Sequence, residues 1–162
     1  VPNFGNRDWE ELASGPGPRD GVNYLYIGDI GDNNAQTPIV QIYRLPEPAN
    51  LQTPITQVER INFRYPDGPR DAEAMFVEPQ TKDIYIITKR EPKVRLYRLK
   101  YPQNVNEVTV AEALGELPMT FVTGAAISPD GREIVVRTYT NITYWKRDGS
   151  QSVADALQYG TN

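Results

Sequence analysis

Residues 58–65 (VERINFRY) set apolar side chains against polar ones in alternation, the mark of a strand with one face in a core and the other in water. Similar short runs, rich in β-branched and aromatic residues, recur along the chain at 24–29, 40–45, 72–77, 83–89, 94–99, 107–111, 122–128, 133–139 and 142–146. Pro, Gly, Asp or Asn bounds nearly every run, so each reads as a strand closed by a turn. The Trp9/Leu12 pair predicts a further strand near the start. The cluster Gly15-Pro16-Gly17-Pro18 predicts a loop after it. Residues 111–117 admit a short helix as the alternative to strand. Residues 152–157 (SVADAL) carry a helical pattern, at a chain end where fraying is usual.

The runs repeat. Glu78-Pro79 falls on Ser128-Pro129 at an offset of 50, and at the same offset Ile84-Tyr85-Ile86 falls on Ile134-Val135-Val136. Tyr26-Ile27 falls on Tyr85-Ile86 at an offset of 59. Ile42-Tyr43-Arg44 matches Leu96-Tyr97-Arg98, with Tyr144-Trp145-Lys146 in the third slot. Four antiparallel strands in roughly 50 residues, repeated, predict an all-β chain of β-propeller blades. About three blades are expected, at 8–66, 71–117 and 122–158; a β-sandwich is the competing arrangement. Only the first two units show a fourth strand. Propellers close with about four or more blades. The chain therefore reads as part of a larger ring, a fragment, or a subunit that completes its ring with a second copy. It starts at Val1, which fits a mature, trimmed or fragmentary product.

Composition narrows the chemistry. The 162 residues carry 21 acidic and 17 basic side chains, a net charge of -4, which argues against nucleic acid or an anionic membrane as partner. No apolar run reaches the roughly 20 residues of a membrane span. There is no Cys and no His, so thiol chemistry, disulfides, the commonest zinc ligand and the commonest general base are absent. Ser14 and Ser128 have no His to activate them, which excludes a Ser-His-Asp hydrolase within these residues. Gly15-Pro16-Gly17 lacks the features of a phosphate loop.

Candidate chemistry gathers in two places. Glu10, Glu73 and Thr123 hold equivalent positions on what reads as the innermost strand of each unit, the strand that lines a propeller channel. Asp29, Asp32 and Asn33 lie in the turn after the second strand, Gly28-Asp29-Ile30-Gly31-Asp32-Asn33. Oxygen ligands without His or Cys suit a hard cation, Ca²⁺ or Mg²⁺, which would relieve repulsion between crowded carboxylates. The other reading of this turn is architectural, with Asp and Asn bonding their own backbone and Gly supplying unusual dihedral angles. For Glu10 and Glu73 it is a bond to neighbouring amides. The spacing is not that of an EF-hand. Tyr43-Arg44, Tyr97-Arg98 and Trp145-Lys146 read as packing between blades, since they recur in each; ligand stacking is the alternative. Lys89, Arg90 and Arg137 are candidate anion ligands, and Asn141-Ile142-Thr143 fits a glycosylation sequon that matters only in a secretory host.

Trp9-Glu10, the GDIGDN turn, Ile42-Tyr43-Arg44 with Pro46-Glu47-Pro48, Asp71-Ala72-Glu73-Ala74, Thr123-Gly124 and Ser128-Pro129-Asp130-Gly131 together resemble a family of uncharacterised bacterial propeller proteins, mostly predicted to be exported. GDIGDN and DAEA are its more specific motifs; SPDG is general to propellers. The resemblance implies further blades and an extracellular or periplasmic location. More distantly the chain is similar to six-bladed propellers of the gluconolactonase and phytase-like esterase type, which hold a divalent cation at the channel mouth. The expected function is a binding or scaffold module with a cation held by Glu10, Asp29, Asp32, Asn33 and Glu73. A metal-dependent lactonase or phosphoesterase, and a self-associating interaction protein, are the alternatives.

Overall fold

The computed structural model describes residues 5–50, 52 and 54–160. They form three sheets and one short helix. The first sheet contains β1 (Glu11–Pro16), β2 (Asn23–Asp29), β3 (Val40–Pro46) and β4 (Glu59–Arg64), joined antiparallel in chain order. The second holds β5 (Ala72–Val77), β6 (Ile84–Thr88), β7 (Val94–Leu99) and β9 (Glu112–Leu117). The third holds β10 (Val122–Ile127), β11 (Glu133–Thr138) and β12 (Ile142–Lys146). The first strands of the sheets are neighbours, with β1 beside β5 and β5 beside β10.

Two cores fill the spaces between sheets. Tyr26, Ile42, Ile61 and Phe63 of the first sheet meet Met75, Ile86, Tyr97 and Leu99 of the second. Ala74, Phe76, Tyr85, Ile87 and Leu96 on the second sheet's other face meet Val122, Ile134, Val136 and Trp145. The middle of the second sheet is thus buried on both faces, which is why β6 reads as an apolar run, 84–87, closed by Thr88, with every residue buried. The recurring aromatic of the third strand lies in these spaces: Tyr97 in the first core and Trp145 in the second. The cation after it pairs across to the fourth strand. Arg44 binds Glu59 at 2.7 Å, and Arg98 binds Glu112 at 2.6 Å. Packing therefore accounts for Tyr97 and Trp145, and cross-strand pairing for Arg44 and Arg98.

Four local expectations change. Residues 111–117 form strand, not helix: β9 pairs antiparallel with β7, and Gly115 at φ 122° takes up a register shift. The run at 107–111 shrinks to β8 (Thr109–Val110), which leaves its own unit and pairs parallel with β4. Gly15 and Pro16 belong to β1 instead of a loop. Gly15 passes so close to β5 that an added Cβ would stand 2.9 Å from the Val77 Cβ, and Pro16 is tolerated at the end of an edge strand. The helix α1 (Val153–Tyr159) is anchored along its length: Val153, Ala156 and Leu157 are buried, and the Gln158 amide donates to the Leu114 carbonyl at 2.8 Å.

Candidate functional site

β1, β5 and β10 all begin at the same end of the structure, where the turns after β2, β6 and β11 also lie. Glu73 and Thr123 occupy the same local device. Ala72 pairs with Thr88 and Ala74 with Ile87, so Glu73 is the extra residue of a bulge; Val122 pairs with Thr138 and Gly124 with Arg137, so Thr123 is another. Glu10 matches them. Its N–H donates to the Gly28 carbonyl at 2.9 Å, although Gly28 stands opposite Glu11 in the ladder. A bulge re-aims a side chain without ending the strand. These three positions, expected to be equivalent from the sequence, are equivalent in geometry.

Asp8 and Asp71 stand two residues before Glu10 and Glu73, and both enter the cluster. The Asp8 Oδ2 and Glu10 Oε1 atoms lie together over Gly31; an added Cβ there would come within 2.5 and 2.7 Å of them. Gly31 is what lets the two carboxyls sit against the turn. The Glu10 carboxyl is pushed up from 4.5 to about 7. Burial is the main cause, followed by the charges of Glu73 and Asp8 and a hydrogen bond to Asp8 that only the protonated acid can donate. Lys89 reaches Glu73 in an ion pair. Burial opposes the charge on Lys89, but hydrogen bonds to Glu73 and Tyr139 hold its pKa above the ordinary lysine value.

The turn is largely committed to its own frame. Asp29 is fully buried; one oxygen accepts the Asp8 N–H at 2.7 Å and the other the Gln41 amide at 2.6 Å. Asp32 accepts the Thr37 N–H at 2.7 Å, and its own N–H donates to Asp71 at 2.8 Å. Asn33 accepts from Arg90, which also binds Asp71. Arg7 caps the Gly31 carbonyl at 2.6 Å and the Asp29 carbonyl at 3.1 Å. Of the five expected ligands, Glu10 and Glu73 are brought into electrostatic contact, while Asp29, Asp32 and Asn33 bond to protein groups. Among the described residues, no group of three or more Asp, Glu, His or Cys side chains is arranged to hold a metal ion.

No family model matches this chain, and no curated protein matches its sequence. The end of the sheets where β1, β5 and β10 begin combines a carboxyl poised near neutrality, a second acid neutralised by Lys89, and Arg137, whose guanidinium bonds Thr123 at 3.0 Å. The acids missed from the sequence, Asp8 and Asp71, had a signal: the tripeptide Asp-x-Glu occurs at both Asp8-Trp9-Glu10 and Asp71-Ala72-Glu73. In the third unit those two places hold Phe121 and Thr123.

Proposed function

We propose that the chain is a run of β-propeller blades serving as a binding module, with the charged mouth as its ligand face and a divalent cation, Ca²⁺ or Mg²⁺, as one ligand of Glu10. The single observation behind this reading is the convergence of Asp8, Glu10, Asp71 and Glu73 where the leading strands of adjacent sheets begin. Burial, helped by the charges of Glu73 and Asp8, keeps a proton on Glu10 near neutrality, and a cation would compete for the same place.

A Ca²⁺ titration followed by thermal melting tests it. Cation at about ten times its Kd should add about 1.4 kcal/mol at pH 8. The gain should shrink at pH 6, where the proton already occupies Glu10. A melting midpoint unmoved at pH 8 would remove the cation from the proposal.

Glu10→Gln gives a second expected outcome. The folded value is raised above the ordinary 4.5, so the folded state holds a proton that the unfolded state has lost between pH 4.5 and about 7. Stability from this group is fully present below pH 4.5 and declines as pH rises to about 7. Glutamine mimics the protonated acid and removes that decline. Because Glu10 is partly exposed, the variant should be more stable than the parent at pH 8 by only about 1 kcal/mol. Urea melts at pH 4.5 and pH 8 measure it.

The first sheet supports an incomplete ring. On the face turned away from the second sheet, Leu12, Leu25, Ile27 and Leu45 hold the places where the second sheet buries Met75, Ile84, Ile86 and Leu99. Leu45 is covered, but Leu25 and Ile27 are only half-buried and Leu12 is 61% exposed. A further blade, or a second copy of the chain, completes that face in this reading. A metal-dependent hydrolase is the second reading, favoured by Glu10 alone, since a carboxylate titrating near neutrality suits a general base. Hydrolysis by the complete assembly that survives Glu10→Gln and cation removal would eliminate it. No helix among the described residues is long and apolar enough to cross a membrane. An extracellular or periplasmic location remains part of the proposal.

A further inference from the structure

Beside the charged mouth lies a cleft of different character. The segment 118–121, the turn 138–141, β12 and α1 enclose about 590 Å³, within the range of roughly 300–1,000 Å³ that ligand clefts occupy. No charged side chain lines it. In a chain with 23% charged residues, and with Lys89 and Arg137 nearby, that lining is unusual.

Its rim is aromatic. Phe121 and Tyr139 stack with ring centroids 5.4 Å apart and planes 12° from parallel, yet they are 44% and 66% exposed. Packing does not require them: at the offset of 50, the second unit carries Asp71 and Lys89 in their places. Phe121 is also held at φ 55°, a conformation costly for a bulky side chain, by an N–H donated to the Lys89 carbonyl at 2.7 Å. The Lys89 Nζ sits 5.1 Å from the Tyr139 ring centre and steadies it. Two large rings are thus fixed in an exposed position at a cost in backbone strain. The edge of Trp145 forms part of the wall.

The polar part of the lining is neutral. Among the described residues, the side chains of Thr140, Asn141 and Thr143 make no hydrogen bond, so their hydroxyl and amide groups face the cleft or its solvent with donors and acceptors to offer. The lining itself offers neither a cation nor an anion a counter-charge. A purely apolar ligand would leave those groups without partners, which costs affinity. A ring that presents C–H faces to aromatics and hydroxyls at its edges satisfies both halves of the lining. We propose that this cleft binds the pyranose rings of a neutral oligosaccharide, stacked on Phe121 and Tyr139 and hydrogen-bonded by Thr140, Asn141 and Thr143.

The test is calorimetric titration of the whole chain with neutral tetrasaccharides of the cello, malto, manno and chito series, without added divalent cation. At least one should bind, and Phe121→Ala and Tyr139→Ala should each weaken it about tenfold. Asn141→Ala, which disturbs little packing, should weaken it in the same direction while the melting midpoint holds. The proposal is overturned if none of the four binds at millimolar concentration, or if binding is undiminished in both aromatic variants. It is equally overturned if indole binds the cleft more tightly than every sugar, because a flat apolar ligand would then be its natural occupant. The outcome is independent of the cation titration, so either reading can fail alone.

Discussion

Arg147→Met should cost about 3–5 kcal/mol of stability, because it strands the Glu78 carboxylate inside the protein. Arg147 follows β12, and its guanidinium meets Glu78 in the turn after β5 at 2.9 Å and the Gly131 carbonyl in the turn after β10 at 3.0 Å. Glu78 is 1% exposed and Arg147 9%. Burial by itself would raise the Glu78 pKa. Hydrogen bonds from Thr81, Gln80 and Arg147 outweigh it and hold the carboxyl below its ordinary 4.5. That stabilisation is present above pH 4.5 and is lost as pH falls through the depressed folded value. The gap between variant and parent in urea melts should therefore be widest near neutrality and narrow in acid. Glu78→Gln in the Arg147→Met background should recover part of the loss, since the stranded charge, more than the missing contact, carries the cost. An equal gap at pH 3 and pH 7 would contradict this account.

Tyr97→Ala should be of similar size, about 3–5 kcal/mol, whereas Tyr97→Phe should cost only about 1 kcal/mol. Tyr97 is fully buried between the first and second sheets, tilted against Tyr65 with ring centroids 4.7 Å apart. Its hydroxyl donates to Asp67 at 2.8 Å. Burial, together with that bond to the carboxylate, pushes the phenol well above its ordinary value. The alanine variant opens a cavity that neither flanking sheet can close, because each is pinned by its own ladder. The phenylalanine variant keeps the shape and leaves Asp67 to Arg70 and Arg95, at 3.1 and 2.7 Å. Thermal melting of the two variants side by side separates shape from hydrogen bonding; comparable losses would show that the hydroxyl matters more than the ring.

Much of the fold was legible because a strand of period two leaves a simple imprint. The alternation at 58–65 and the apolar run at 83–89 correspond to β4 and β6, and the offset of 50 brought Glu73 and Thr123 to the same bulge position. What failed to show were contacts made across units. β8 pairs with a strand more than forty residues earlier, and nothing within 107–111 marks so distant a partner. Gly15 sits in strand because Val77 presses on it, a tertiary fact hidden inside a Gly/Pro cluster that ordinarily means loop. At the site, residue types suggested a hard-cation cage, but the hydrogen bonds of Asp29 and Asp32 depend on where Gln41, Thr37 and the Asp8 N–H fall in space. Thr123 and Phe121 end the Asp-x-Glu series, and only the folded chain puts Phe121 against Tyr139.

The excursion of residues 100–111 has a consequence for how the molecule comes apart. After β7 the chain runs back along the first sheet: Gln103 joins Arg44 to the Lys82 carbonyl, β8 zips onto β4, and the Ala111 N–H closes on the Arg64 carbonyl at 2.9 Å. Tandem units that touch only their neighbours can melt one at a time. Here the first two share a seam woven from both, so neither can open without tearing the other's rim, and they should behave as a single cooperative block onto which the third is fastened by the second core, Arg147 and the helix.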